Sequence, residues 1–324
     1  MSVDVYVANS HRWLREKLVE HAVLDGSVAR IVESRRAADL LIYLEPPWPD
    51  PEAPDRFRTF RPRDLLRTFV FSQKDDPVPW APGVYASVPT SHADSSCFAG
   101  GFYVAHHHHG ADGIAGDLEA ARELEPSALW GFMGTLSNHP VRRRLRDVRD
   151  LDGFVLDTQH FSDVVRWGWQ SSHRVEGREA FSTYASMLGR SSFVLCPRGY
   201  GSSTIRLFEA LQVGRCPVVI SDEWLPPPFV EWRSCSITVP EARILELPKI
   251  LRERESEAAS LGRQARTVWE CFFSPQNRLR TLVDACLTLD VTTSQRLSLL
   301  ASGPLQPISR RGYRAARRGM RIIK

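Results

Sequence analysis

Short apolar runs alternate with amphipathic segments of helical spacing along both halves of the 324-residue chain. The runs with the length of β-strands are residues 3–8, 38–44, 67–71, 84–88, 128–133, 153–156, 192–196 and 216–220. Strands that alternate with helices build parallel sheets, because each helix carries the chain back across one face of the sheet. The pattern therefore predicts the α/β class, with two Rossmann-like, doubly wound domains that face each other across a cleft.

A polar stretch with several glycines, residues 106–127, separates the two sets of strands. This composition is typical of surface loops, so we interpret the stretch as the connection between an N-terminal domain (1–124) and a C-terminal domain (125–290), followed by a C-terminal segment (291–324). The stretch begins with four consecutive histidines, His106 to His109. Consecutive histidines cannot all face one ion in a helix or strand, which favours a solvated loop over a metal site.

Charge and cysteine content exclude several classes of protein. The net charge of +4 is too small to indicate a nucleic-acid-binding protein. The six cysteines form no CxxC pair, which favours reduced thiols over a disulfide framework or a zinc site. No apolar run reaches the roughly 18 residues of a membrane span, and the N-terminus lacks the pattern of a signal peptide. We therefore expect a cytoplasmic protein.

The last 16 residues, 309–324, differ from the rest because they contain six arginines, one lysine and no acidic residue. Basic residues near an anionic membrane surface contribute on the order of 1 kcal/mol each to binding. Two interpretations stay open: a flexible solvated end, or peripheral contact with an anionic membrane or polymer.

The most informative segment predicts a strand, a glycine-rich turn and a helix in residues 191–213. The apolar run ends at Pro197, which interrupts a strand ladder. Gly199 and Gly201 then permit positive φ angles and the close approach of a ligand to the backbone. Ser202 or Ser203 suits the N-cap of the following helix. This combination predicts an anion site, because free N–H groups and the helix dipole point to one place.

Charged side chains surround this predicted anion site. Arg198 contributes a permanently charged fork that suits phosphate. Helical spacing places Ser202, Arg206 and Glu209 on the open face, opposite the apolar one. We interpret Glu209 as an acceptor of hydrogen bonds from a ribose. The alternative is an ordinary surface pair of Arg206 and Glu209.

Residues 191–239 resemble the exostosin family of glycosyltransferases in the order and spacing of their motifs. The matching segments are residues 191–193 (Ser-Ser-Phe), 197–199 (Pro-Arg-Gly), 202–203 (Ser-Ser), 206–211 (Arg-Leu-Phe-Glu-Ala-Leu), 214–220 and 222–229. Weaker similarity extends through residues 134–144 and 82–89. Exostosins of eukaryotes usually have a membrane anchor and act in the Golgi; because we find no anchor here, we expect a cytosolic member and transfer no heparan-type substrate.

The resemblance implies a GT-B architecture and an inverting transfer from a nucleotide-sugar, often a UDP-sugar, to a hydroxyl of a glycan or other acceptor. It implies that Glu209 binds the ribose and that Arg206 helps to neutralise the leaving nucleotide. Residues near the diphosphate or the same cleft are Arg198, Gly199, Gly201, Ser202, Ser203, Gly134, His139 and Asp222. His139 could alternatively cap the helix that begins after it. We expect no cofactor beyond the nucleotide-sugar and no metal, since an Asp-x-Asp motif is absent and the adjacent Asp75 and Asp76 are interpreted as a loop.

The catalytic base should come from the N-terminal domain, across the cleft from the donor. Candidates are His11, which follows the first strand, and the polar pair His92 and Asp94. Two alternatives to a transferase stay open: a non-catalytic protein that binds a nucleotide-sugar or polyanion, and a nucleotide-sugar epimerase of the same two-domain fold. Donor hydrolysis distinguishes them, because a binding protein releases no product and an epimerase yields a new nucleotide-sugar.

Overall fold

The computed structural model describes residues 2–8, 12–26, 29–44, 64, 66–75, 77, 79, 81–92, 96–104, 111–158 and 175–302. These residues form two sheets in which all strand pairs are parallel. The first has the order β2-β1-β3-β4-β5-β6, with β1 (Val3–Val7), β2 (Ala29–Ile31), β3 (Leu40–Leu44), β4 (Thr68–Ser72), β5 (Gly83–Tyr85) and β6 (Phe98–Gly100). The second has the order β11-β10-β9-β7-β8, with β7 (Ala128–Gly134), β8 (Gly153–Asp157), β9 (Ser191–Pro197), β10 (Cys216–Ile220) and β11 (Ile237–Thr238).

Helices lie between and beside these strands. The described α-helices are α1 (Arg12–Val19), α2 (Ala111–Arg122), α3 (Pro140–Arg144), α4 (Val175–Arg190), α5 (Ile205–Val213), α6 (Leu247–Glu253), α7 (Ala258–Val268), α8 (Arg278–Leu287) and α9 (Thr293–Ser302). A π-helical turn, Trp269–Phe273, follows α7. The two parallel sheets with their helices confirm the predicted α/β class with two Rossmann-like units, and are consistent with a GT-B-like fold.

The central strands are buried on both faces, as parallel sheets require. Strands β4, β5 and β10 are buried along their whole length. One apolar cluster joins both sheets: Phe102, beside the first sheet, packs against Phe273, which packs edge-to-face against Phe208 of α5. All six cysteines are free thiols and five of them are buried.

Helix α2 corrects the interpretation of residues 106–127 as a polar surface connection. Leu118 and Ala121 are buried, and α2 packs against α4 and α5 of the C-terminal unit. Contact with α4 is so close that a Cβ atom on Gly189 would lie 2.1 Å from the Ala121 carbonyl oxygen. The loop interpretation is therefore wrong for residues 111–122, and this helix joins the C-terminal unit; His106 to His109 lie outside the described residues.

Buried arginines from the end of the chain attach the two units to each other. Arg278 of α8 donates to the carbonyl oxygens of Val104, at 3.0 Å, and Lys17. Arg296 of α9 donates to the Thr68 carbonyl oxygen at 2.7 Å, so the start of the C-terminal segment packs on the first sheet. The basic residues 309–324 lie outside the described residues. None of the helices in the described ranges has both the length and the hydropathy to cross a bilayer.

Candidate functional site

The predicted strand, turn and helix are present as β9, residues 198–203 and α5, but two local expectations are wrong. Strand β9 ends at Pro197 as predicted, and Pro197 pairs with Ile220 as the last residue of the ladder. The N-cap of α5 is Thr204, without a side-chain hydrogen bond, instead of Ser202 or Ser203. Among the described glycines only Gly214, which ends α5, has a positive φ.

The two glycines of the turn allow close packing, because a side chain at either position would meet neighbouring atoms. Neither has a positive φ angle. A Cβ atom on Gly201 would lie 2.5 Å from Ser87 Oγ and 2.8 Å from the Asp75 carbonyl oxygen, both in the first unit. A Cβ atom on Gly199 would lie 3.1 Å from the end of the Arg142 side chain. The turn is thus held between the N-terminal unit and α3.

Arg206 is buried, which corrects its predicted place on an open helix face. Its side chain is covered because α5 has neighbours on both sides, and only 6% of the residue is exposed. Nη2 donates to the Met133 carbonyl oxygen at 2.5 Å, and the guanidinium lies 4.4 Å from the centroid of the Phe132 ring. Gly134 makes room for this approach, since a Cβ there would lie 2.7 Å from Nη2. Nε and Nη1 of Arg206 have no hydrogen-bond partner among the described residues.

A second buried guanidinium, that of Arg142 on α3, lies beside the same turn. Nε and Nη2 donate to the carbonyl oxygens of Pro197 and Arg198 at 3.0–3.3 Å. Burial, followed by the positive charge of Arg206, lowers the pKa of Arg142 to about 9. Arg142 was not identified from the sequence; the available signal was a basic helix, α3, that follows β7 after a short 3-10 turn, Leu136–Asn138.

The same turn contains further buried polar atoms that have no hydrogen-bond partner among the described residues. Ser202 and Ser203 are both buried, and neither hydroxyl oxygen has a hydrogen-bond partner within the part of the chain that the structure describes. The same is true of Arg198 Nε, while Arg198 Nη1 lies 2.5 Å from Glu223 Oε2. Buried polar groups are almost always hydrogen-bonded in native proteins, so the partners of these atoms are water, a ligand or residues outside the described ranges.

Glu209 is also buried, with 3% exposed, so its predicted position on an open face is wrong. Its carboxylate accepts a hydrogen bond from the Tyr184 hydroxyl of α4. Burial and the Glu209 charge raise the pKa of Tyr184 well above its usual value, so Tyr184 stays protonated and donates. Tyr184 was not identified from the sequence, and the role of Glu209 at a ribose stays a prediction.

His139 caps α3, which agrees with one of its two predicted roles. Its Nδ1 accepts a hydrogen bond from the Val141 N–H at 3.3 Å. Burial, and then the positive charges of Arg198 and Arg142, lower the pKa of His139 to about 4. At neutral pH the imidazole is therefore neutral, with its proton on Nε2.

The lowered pKa predicts that His139 makes the protein sensitive to acid. Between pH 6.5 and about 4 the unfolded chain binds a proton at this position and the folded chain does not, so stability falls as the pH falls through this window. His139→Asn keeps an acceptor for the Val141 N–H without the titration. We expect the variant to lose less stability than the wild type between pH 7 and pH 4.5 in urea unfolding; an equal loss would contradict this role.

Of the remaining candidates, Asp222 and His92 are described and lie near the contact between the two units, and His11 and Asp94 are not described. Asp222 Oδ1 accepts from the Glu241 N–H at 3.0 Å, which joins the end of β10 to the 3-10 helix Glu241–Glu246. The described acids that reach Arg198 Nη1 are Glu223, at 2.5 Å, and Glu241, at 3.8 Å. His92 ends the 3-10 turn Thr90–His92, which contacts the second unit through a hydrogen bond from Thr90 N–H to the Glu223 carbonyl oxygen. Within the described ranges no three His, Cys, Asp or Glu side chains are grouped to hold a metal ion.

Comparison with known proteins identifies the family of the segment that contains these residues. Residues 126–254 match the family model of the Exostosin GT47 domain. The chain carries an exostosin domain. This exostosin domain contains β7, α3, β9, the turn and α5, and therefore every arginine of the cluster described above.

Relatives of the exostosin domain match it over about 95 residues. Exostosin-1a of Danio rerio is 32% identical over 99 residues, which are 30% of this chain and 14% of that protein. Exostosin-1 of Drosophila melanogaster is 34% identical over 93 residues (28% and 12%), and the Exostosin-1 homolog of Caenorhabditis elegans is 37% identical over 95 residues (28% and 24%). The chain thus matches less than a quarter of the length of these relatives.

Two solved structures have a low overall similarity to this chain. TarM has a TM-score of 0.40 at 11% identity, covering 78% of this chain and 55% of TarM. A glycosyltransferase from Rickettsia africae has a TM-score of 0.41 at 10% identity, covering 89% of this chain and 98% of that protein.

Proposed function

We propose that the chain is a glycosyltransferase that binds the diphosphate of a nucleotide-sugar, in the first place a UDP-sugar, at an arginine cluster. The arginine cluster consists of Arg142, Arg198 and Arg206 together with the hydroxyls of Ser202 and Ser203. The observation that carries this proposal is the pair of buried guanidiniums, Arg142 and Arg206, that repel each other. Taking a cation out of water costs several kcal/mol unless an anion compensates.

A diphosphate fits the cluster in charge and in hydrogen bonding. It accepts from the two N–H groups of Arg206, from both serine hydroxyls and from the neutral His139 Nε2. The exostosin domain supports a nucleotide-sugar as the source of this diphosphate. We further propose that Glu209, one turn along α5 and held by Tyr184, accepts the hydroxyls of the ribose.

In the proposed reaction an acceptor hydroxyl, on a glycan or a small molecule, attacks the anomeric carbon from the face opposite the diphosphate. The bond from the anomeric carbon to the β-phosphate oxygen breaks, its electron pair stays on the diphosphate, and the configuration inverts. Positive charge and the N-terminus of α5 stabilise the leaving group where its charge develops. We propose that the three guanidiniums supply this charge without an essential metal ion. A cytoplasmic location and membrane contact through residues 309–324 stay predictions.

A binding screen followed by a product assay tests the proposed function. UDP-, GDP-, ADP-, dTDP- and CMP-sugars are added to the full chain, and the one that binds the native state raises the unfolding temperature. That donor is then incubated with the protein in water alone. A transferase releases the nucleoside diphosphate slowly; a new nucleotide-sugar would indicate an epimerase, and no product a binding protein.

The ribose role of Glu209 predicts a selective loss of affinity. Glu209→Gln keeps the side-chain volume and a donor–acceptor group but removes the charge. Hydrogen bonds to charged groups contribute about 1.5–3 kcal/mol, so we expect UDP to bind roughly 10-fold more weakly or worse. Inorganic pyrophosphate should bind as it does to the wild type. Calorimetry that finds both ligands weakened equally would contradict the assignment.

A further inference from the structure

An acidic side chain of the first unit lies directly across from the arginine cluster. Asp75 follows β4 at its carboxyl end, the edge at which ligands bind in open parallel sheets. Its carbonyl oxygen is the atom that a Cβ on Gly201 would approach to 2.8 Å, so Asp75 touches the turn of the exostosin domain. Asp75 is exposed to solvent.

A chain of hydrogen bonds orients the Asp75 carboxylate. The Tyr103 hydroxyl donates to Asp75 Oδ1 at 3.1 Å. Since Tyr103 gives its proton to Asp75, the Ser87 hydroxyl, 2.8 Å away, donates to the Tyr103 oxygen. The Tyr103 ring packs edge-on against Phe208 of α5, with ring centroids 6.0 Å apart. The carboxylate is thus held by a tyrosine that is itself anchored on the helix of the arginine cluster.

Asp75 interacts electrostatically with the arginine cluster. Its negative charge opposes the lowering of the pKa of Arg142, so the two side chains lie within each other's field. The cleft therefore has a cationic side, in the exostosin domain, and an oriented carboxylate on the opposite side. An inverting transfer requires this arrangement, with the leaving group at the cations and a proton acceptor on the other side.

We propose that Asp75 is the general base that activates the acceptor hydroxyl. This inference rests on the proposed function. As the acceptor oxygen bonds to the anomeric carbon, its proton passes to the Asp75 carboxylate, and the bond to the diphosphate breaks with its electron pair on the diphosphate. Tyr103 and Ser87 are positioning residues, in the way that a third group orients the base in a catalytic triad. Asp75 lies in a bend after β4, which agrees with its interpretation as a loop residue; Asp76 lies outside the described residues.

The test uses the full chain with the nucleotide-sugar that stabilises it most, and water as acceptor. Asp75→Asn should slow release of the nucleoside diphosphate by about 100- to 10,000-fold. Its affinity for the nucleoside diphosphate should stay within about threefold of the wild type. Sodium azide should then restore release and form a glycosyl azide, because azide attacks without losing a proton. The control is Asp25→Asn, which removes an equally exposed charge elsewhere in the first unit and should release nucleotide at the wild-type rate.

Each outcome decides between the two proposals. If Asp75→Asn hydrolyses the donor as fast as the wild type, or stays slow in azide, Asp75 is not the base, while the proposed function is unaffected. If the wild type hydrolyses none of the nucleotide-sugars, the proposed function is contradicted and the assignment of Asp75 with it.

Discussion

Replacing Arg206 with methionine is expected to weaken UDP binding about 100-fold or more without lowering the unfolding temperature. The affinity falls because Nε and Nη1 of Arg206 are buried donors with no partner within the described ranges, and we assign both to the diphosphate. Two hydrogen bonds between charged groups contribute roughly 3 kcal/mol or more, which corresponds to about two orders of magnitude in the dissociation constant.

The stability of the Arg206→Met variant follows from the same burial. The variant loses the hydrogen bond to the Met133 carbonyl oxygen, which costs about 1–3 kcal/mol. It also removes a buried cation whose desolvation costs several kcal/mol, and methionine fills the space with an apolar chain. Because these losses and gains are of similar size, we expect the stability of the variant to be about that of the wild type.

Arg252→Met is the matched control, because Arg252 is a half-exposed arginine of the same domain that pairs with Asp150 and Asp152 on the surface. Calorimetric titration with UDP and thermal unfolding of both variants provide the two measurements. An Arg206→Met variant that unfolds early but binds UDP like the wild type would show that Arg206 only supports the fold.

Gly201→Ala is expected to destabilise the protein and to weaken nucleotide binding. The added methyl group would lie 2.5–2.9 Å from Ser87 and from the Asp75 carbonyl oxygen, so the turn or the first unit must move. Overpacking of this kind typically costs 1–3 kcal/mol. In a chain of this size 1 kcal/mol lowers the unfolding temperature by about 2 °C, so we expect a fall of roughly 2–6 °C.

The same turn offers a control in Gly199→Ala. There the methyl group would meet only the end of the Arg142 side chain, at 3.1 Å, and a flexible side chain can shift by a few tenths of an ångström. In thermal unfolding we expect Gly199→Ala to lower the stability by less than half as much as Gly201→Ala does. If Gly199→Ala proves the more harmful of the two, the turn is not held against the first unit as the structure has it.

Local sequence patterns predict most strands and the order of the elements, but not which faces of α5 are buried. Apolar runs and their spacing predicted most strands of both sheets, though not the short β2 and β6, and the strand, turn and helix around residue 198, because these depend on neighbours in sequence. The faces of α5 were not predictable in this way. Its periodicity indicates one buried face, but α5 also packs against α2 and α7, so Arg206 and Glu209 are buried as well.

Contacts between distant residues account for the other differences. Arg142 reaches carbonyl groups 55 and 56 residues away, and nothing in its own helix indicates this. Gly201 was predicted from its conformational freedom, but it is required because another part of the chain, at Ser87, lies against it. Asp75 had the sequence context of a loop, and only the packing of the first unit on the turn places it opposite the arginine cluster.

Calorimetric titration of the full chain with UDP, uridine and inorganic pyrophosphate tests most directly whether the arginine cluster binds a diphosphate. We expect UDP to bind at least 100-fold more tightly than uridine, pyrophosphate to bind as well, and Arg206→Met to abolish the difference between UDP and uridine. Uridine that binds as tightly as UDP, or a preference for UDP that survives in Arg206→Met, would contradict this assignment.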